Sequence, residues 1–141
     1  MRSTQFLNHT VFLHPEGDVV CDNIFNKQPV EEHLVYFFNK YIKPDFIIVE
    51  GGAYVGMHTI RFSDLVPNGH VYSFEASKRN FDLVNSTLEI NNIQNVTLLN
   101  KALYSTNSTV YLNKSWTPDQ DSIGVDNNGY PIEAVSIDSL D

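Results

Sequence analysis

The chain has 141 residues, 42% of them hydrophobic, with nine basic against seventeen acidic side chains and a formal net charge of -8. That length supports one domain with a real core but is short for a complete doubly wound sheet, and the acidic balance argues against a general nucleic-acid or anionic-membrane surface. Cys21 is the single cysteine, which excludes an internal disulfide and a zinc cluster built from thiolates.

In chain order, residues 10–20 predict a short extended arm. Thr10, Val11, Phe12 and Leu13 form its first run, Val19 and Val20 the returning one, around the turn residues His14, Pro15, Glu16, Gly17 and Asp18. Residues 29–41 predict a helix, with Pro29 near its start and Glu31 and Glu32 in its first turn. Its aromatic residues Tyr36, Phe37, Phe38 and Tyr41 are expected in the core or an interface. Residues 46–49 are apolar without alternation, the pattern of a parallel strand covered on both faces, and run into Glu50. Gly51, Gly52 and Gly56 then allow a sharp turn and a close approach of ligand to backbone. Residues 57–66 predict a helix whose N-terminus points at that ligand, closed by Pro67, Asn68 and Gly69.

A second strand, residues 70–74, ends on Glu75. A helix over residues 78–91 follows, with Phe81, Val84 and Leu88 on its inner face and Ile90 at the margin. Residues 96–99 make a third strand leading to Asn100, Lys101, Ala102 and Leu103. The strand–helix rhythm implies right-handed crossovers and a parallel sheet. Beyond it, residues 109–112 predict a strand, 114–130 an irregular polar loop and 131–137 an extended segment. The expected organisation is an N-terminal arm and helix over 1–44 and a Rossmann-like α/β domain, a parallel sheet with flanking helices, over 45–141.

Two parallel strands that bring a glycine-rich turn and acidic tips, Glu50 and Glu75, to one sheet edge form the site by which such domains hold an adenosine-type ligand. Glu75 is placed to accept both hydroxyl protons of a ribose. A nicotinamide-dependent oxidoreductase is a competing reading, but it expects Gly-x-Gly-x-x-Gly, which residues 51–56 do not supply. His58 reads as a capping or surface residue, and His9, His14, His33 and His70 are too scattered for a metal site. Asp119 and Asp121 read as part of a solvated loop. No apolar run reaches membrane-spanning length and no signal-peptide core follows Met1, so the expected compartment is the cytoplasm.

Taken in order, Glu50 to Gly56, Val71 to Ala76, Arg79-Asn80-Phe81, Asn91-Asn92, Asn95-Val96-Thr97 and Asn100 to Leu103 resemble the FkbM-type branch of class I S-adenosylmethionine-dependent methyltransferases. The resemblance runs from about Asp45 to Tyr104, and Val135 to Leu140 is similar to the family's next recurring segment. It implies S-adenosylmethionine as cofactor and methylation of an oxygen nucleophile on a small molecule or glycan. By the same resemblance Glu50 lies beside the methionine end, with Gly51, Gly52, Ala53, Tyr54 and Gly56 in the cofactor turn. Glu75 holds the ribose, Ala76 and Ser77 lie beside the adenine, and Asn100, Lys101 and Ala102 close on its ring.

Tyr54 departs from the Asn usual at its position, and is expected either to stack on the ligand or to fill its pocket. The family's fourth strand would follow the last residue, so the domain is expected to be truncated. An unpaired sheet edge and an uncovered apolar face would then favour self-association, and a non-catalytic binding module is the alternative to an enzyme.

Overall fold

The computed structural model describes residues 1–113, 121–127 and 129–140. The chain opens on an antiparallel hairpin of β1 (Arg2–Phe6) and β2 (His9–Leu13), with Arg2 paired to Leu13 and Phe6 to His9. This corrects the arm expected from sequence: the partner of residues 10–13 precedes them, and Val19 and Val20 begin a helix, α1 (Val19–Phe25). The physical reason is a cap. Asp18 has extended backbone, and its carboxylate accepts from the Cys21 N–H, which starts the helix where a returning strand was expected. Val11, Leu13, Cys21 and Ile24 then form a buried cluster with Val55, Met57, Ile60 and Leu83, joining the arm to the rest of the fold.

Next come α2 (Glu32–Tyr41), β3 (Ile47–Gly51), α3 (Met57–Leu65), β4 (His70–Phe74), α4 (Lys78–Ile90) and β5 (Val96–Leu99). The three strands form a parallel sheet in the order β3-β4-β5, in the register Ile48 to Val71 to Val96 and Glu50 to Ser73 to Leu98. Those residues share one face, and the helices cover it: Phe38, Ile42 and Phe62 pack with Ile48, Val71 and Val96, and Val84 and Leu88 with Val96 and Leu98. Along α4 the buried positions are Asn80, Leu83, Val84, Thr87 and Leu88, so Val84 and Leu88 face inward as read from sequence, while Phe81 is only half-buried and Ile90 is exposed.

The opposite face is different. Ile47 is 64% exposed and Val49 38%, so the expectation that residues 46–49 are covered on both faces is not met. An uninterrupted apolar run reports that both faces of the strand can be buried, not that both are. On α2 no residue is fully buried, and Tyr36, Phe37 and Tyr41 are exposed while Phe38 turns in against Phe62.

The remaining strands build a separate four-stranded sheet in the order β6-β9-β7-β8, from β6 (Ala102–Leu103), β7 (Ser108–Asn113), β8 (Ser122–Gly124) and β9 (Tyr130–Val135). The β6–β9 pair is parallel and the others antiparallel, and a short 3-10 turn at Ile137–Ser139 follows. Part of the loop read as irregular is therefore paired, through Leu112 to Ile123. Residues 114–120 and 128 of that loop lie outside the described residues. Among the described residues no helix is long and apolar enough to cross a membrane.

Candidate functional site

The site is built where three strands end. After β3 the chain wraps the tip of β4: the N–H groups of Gly52 and Ala53 both donate to the Phe74 carbonyl, at 2.8 and 3.1 Å. Gly52 and Gly56 adopt φ +80° and +81°, the left-handed region where a side chain is strained. Tyr54 adopts it too, at φ +55°. After β5, Asn100 stitches the third tip to the second by donating from Nδ2 to the carbonyls of Glu75 and Ala76, at 2.7 and 3.2 Å.

A cavity of about 370 Å³ opens at this edge. Of the residues expected at a site, Gly51, Gly52, Tyr54, Glu75, Ala76, Lys101 and Ala102 line it. The others support it from behind. Ala53 is buried against Val84 and Leu88, Gly56 caps α3 against Val84, Ser77 is the buried cap of α4, and Asn100 holds the backbone as described. Glu50 turns under the helices: one oxygen accepts from the Thr59 and Ser73 hydroxyls, each at 2.6 Å. Burial pushes the Glu50 carboxyl above its usual range, against the pull of the Ser73 and Thr59 bonds and of His58.

Glu75 is the buried carboxylate on the cavity wall. One oxygen accepts from the Tyr54 N–H at 2.7 Å and the other from the Ser77 N–H at 2.8 Å. Burial raises its pKa, while these N–H groups and the Asn80 side chain pull it down and the nearby Asp121 charge raises it again. A carboxylate offers about four acceptor positions, so the two backbone donors and Asn80 leave capacity for one hydroxyl of a ribose. Apolar walls from Phe74, Leu103, Leu112 and Ile123 suit a flat base.

Several lining residues come from outside the predicted set. Asn80, Leu112, Asp121 and Ile123 also line the cavity, the last three contributed by the second sheet and its approach. Asp121 is not a solvated loop residue: its side chain is 5% exposed and pairs with Arg79 Nη2 at 2.6 Å. No local pattern announces this, because the pairing joins residues far apart in sequence. Asp119 lies outside the described residues. Lys101 bridges to Glu133 at 2.6 Å on the same rim.

The Tyr54 side chain packs against the cluster of Val11, Leu13 and Cys21, and its hydroxyl donates to Asp18. Its phenol is thereby held toward the N-terminal arm, and burial first, then the Asp18 bond, pushes its pKa far up. The Cys21 sulfur lies 3.4 Å from the same hydroxyl, and burial pushes the thiol up to about 11, so it stays protonated. His58 is not free either: Nε2 bonds Glu31 at 2.7 Å, and the ring packs between Phe38 and Phe62.

The sequence matches no family model and no curated protein. Two solved structures are similar over part of the chain. One, provisionally named as an rRNA-methylase from Clostridium thermocellum, shares 20% identity at a TM-score of 0.48, covering 50% of this chain and 41% of that one. The other is precorrin-6y C5,15-methyltransferase from Geobacter metallireducens GS-15, with 25% identity, a TM-score of 0.44, and coverage of 49% and 36%. The chain thus spans well under half the length of either structure.

Proposed function

We propose that this chain carries the S-adenosylmethionine-binding part of an FkbM-type methyltransferase, acting on an oxygen nucleophile of a small molecule or glycan. One observation carries the reading: the glycine turn after β3, Glu75 after β4 and Lys101–Ala102 after β5 border a single cavity at the carboxyl edge of a parallel sheet. Glu75 would hold a ribose hydroxyl, Leu103, Leu112 and Ile123 the adenine, and the turn at Gly51 and Gly52 the methionine end. S-adenosylmethionine supplies the activated methyl group, and the protein's task is to align the acceptor with it and exclude water. Calorimetry with S-adenosylmethionine, S-adenosylhomocysteine and NAD tests the reading. Binding of the first two without NAD supports it; NAD alone, or none of the three, overturns it.

A second reading, a binding module that works only with another chain, is favoured by the exposed Ile47 and Val49 and by the edge of β3 that has no strand beside it among the described residues. It predicts self-association through β3 and no release of S-adenosylhomocysteine when acceptors are supplied.

A further inference from the structure

Three groups donate to Glu75: the Tyr54 N–H, the Ser77 N–H and the Asn80 side chain. Two of the three are held from behind by one short N-terminal segment, residues 14–21. The Tyr54 hydroxyl donates to Asp18 Oδ2, which anchors a residue held at φ +55°, the left-handed region that disfavours a side chain. Asn80 Oδ1 accepts from His14 Nε2 at 2.7 Å, which fixes the amide so that its NH₂ is the end available to Glu75. The segment is itself held in place: Asp18 and His14 are buried, and Asp18 accepts the Cys21 N–H at 2.9 Å.

We propose that Asp18 and His14 are positioning residues for Glu75, so that the N-terminal segment sets the affinity of the cavity for a ribose-bearing ligand. The affinity arm of this inference rests on the reading of Glu75 as the ribose carboxylate; the positioning arm does not. Tyr54 is then neither a platform nor a plug. It is the link between Asp18 and Glu75, acting through its hydroxyl at one end and its backbone N–H at the other.

The test uses the full chain with Asp18→Ala, Tyr54→Phe, their double variant, His14→Phe and Asp18→Asn. The readouts are Glu75 titration by carbon NMR without ligand and S-adenosylhomocysteine affinity by calorimetry. Asp18→Ala, Tyr54→Phe and His14→Phe should each raise the Glu75 midpoint and weaken binding about tenfold, the scale of one hydrogen bond to a charged group. The Asp18→Ala/Tyr54→Phe double variant should bind no worse than the weaker single, because both remove the same bond. Asp18→Asn offers one oxygen where Oδ1 now takes the Cys21 N–H and Oδ2 the Tyr54 hydroxyl, so it should shift the Glu75 midpoint in the same direction as Tyr54→Phe. Tyr54→Phe retains the packed ring, so it answers the question even where Asp18→Ala fails to fold. A Glu75 midpoint that none of the variants moves overturns the proposal, as does a moved midpoint with parental affinity. Where the parent itself binds no S-adenosylhomocysteine, midpoints moved in the variants support the positioning role and overturn the ribose reading instead.

Discussion

The ends of β3 and β4 carry the same side chain, a buried glutamate, in two different chemical settings. Glu50 faces the helix-covered side of the sheet and is bonded by the hydroxyls of Thr59 and Ser73. Glu75 faces a cavity and is bonded by backbone N–H groups of Tyr54 and Ser77. Hydroxyl donors rotate to suit a partner and can fasten a carboxylate inside a core, whereas fixed N–H groups on a cavity wall orient it toward something else. A buried acid at a strand tip can thus be tied inside the core, as Glu50 is, or face a cavity, as Glu75 does, according to its donors and the face it occupies.

The largest effect that would break this comparison is on binding. Glu75→Ala removes a charge-assisted contact worth about 1.5–3 kcal/mol per hydrogen bond, so S-adenosylhomocysteine affinity should fall by about ten- to a hundredfold. Glu50→Gln should leave affinity within about twofold, since its side chain does not line the cavity. Equal losses in both variants, measured by calorimetry, would erase the distinction drawn between the two tips.

Stability tests the core side of the comparison. Gly56→Ala forces a Cβ to within 3.1 Å of Val84 Cγ1 at φ +81°, and should cost about 1–2 kcal/mol in chemical denaturation. The pH dependence then sharpens it. The Glu50 carboxyl has a folded pKa above its ordinary 4.5, so the unfolded chain gives up this proton first as pH rises. Rising pH through the folded pKa therefore destabilises the parent, and Glu50→Gln should abolish that part of the decline. Melting curves from pH 4 to 8 should diverge in favour of the variant toward neutral pH; parallel curves would remove Glu50 as an ionising core group.

The smallest effect concerns the uncovered face. Ile47→Thr with Val49→Thr should change stability by no more than about 0.5 kcal/mol, as surface substitutions do. It should nevertheless reduce any concentration-dependent association seen by light scattering. Association equal in parent and variant would remove this face of β3 from consideration as an interface.

The comparison also separates what could be read from the chain and what could not. Periodicity located α3, β4, α4 and β5 within a residue or two, and the glycine turn, with Glu50 before it and Glu75 after the next strand, marked the sheet edge. These features are local: apolar spacing, φ preference and turn chemistry are written in neighbouring residues. The assignment of Val19 and Val20 to a strand failed because one capping carboxylate, Asp18, outweighs the β preference of two valines. Which glutamate meets the cavity was decided by the tertiary structure, since Ser73 reaches Glu50 through the β3–β4 register and Thr59 only after α3 packs on the sheet. The same holds for Asp121 beside Arg79, His14 beside Asn80 and Asp18 beneath Tyr54. Each of these pairs joins distant segments, and hydrogen-bond partners across that separation leave no periodic trace in a single sequence.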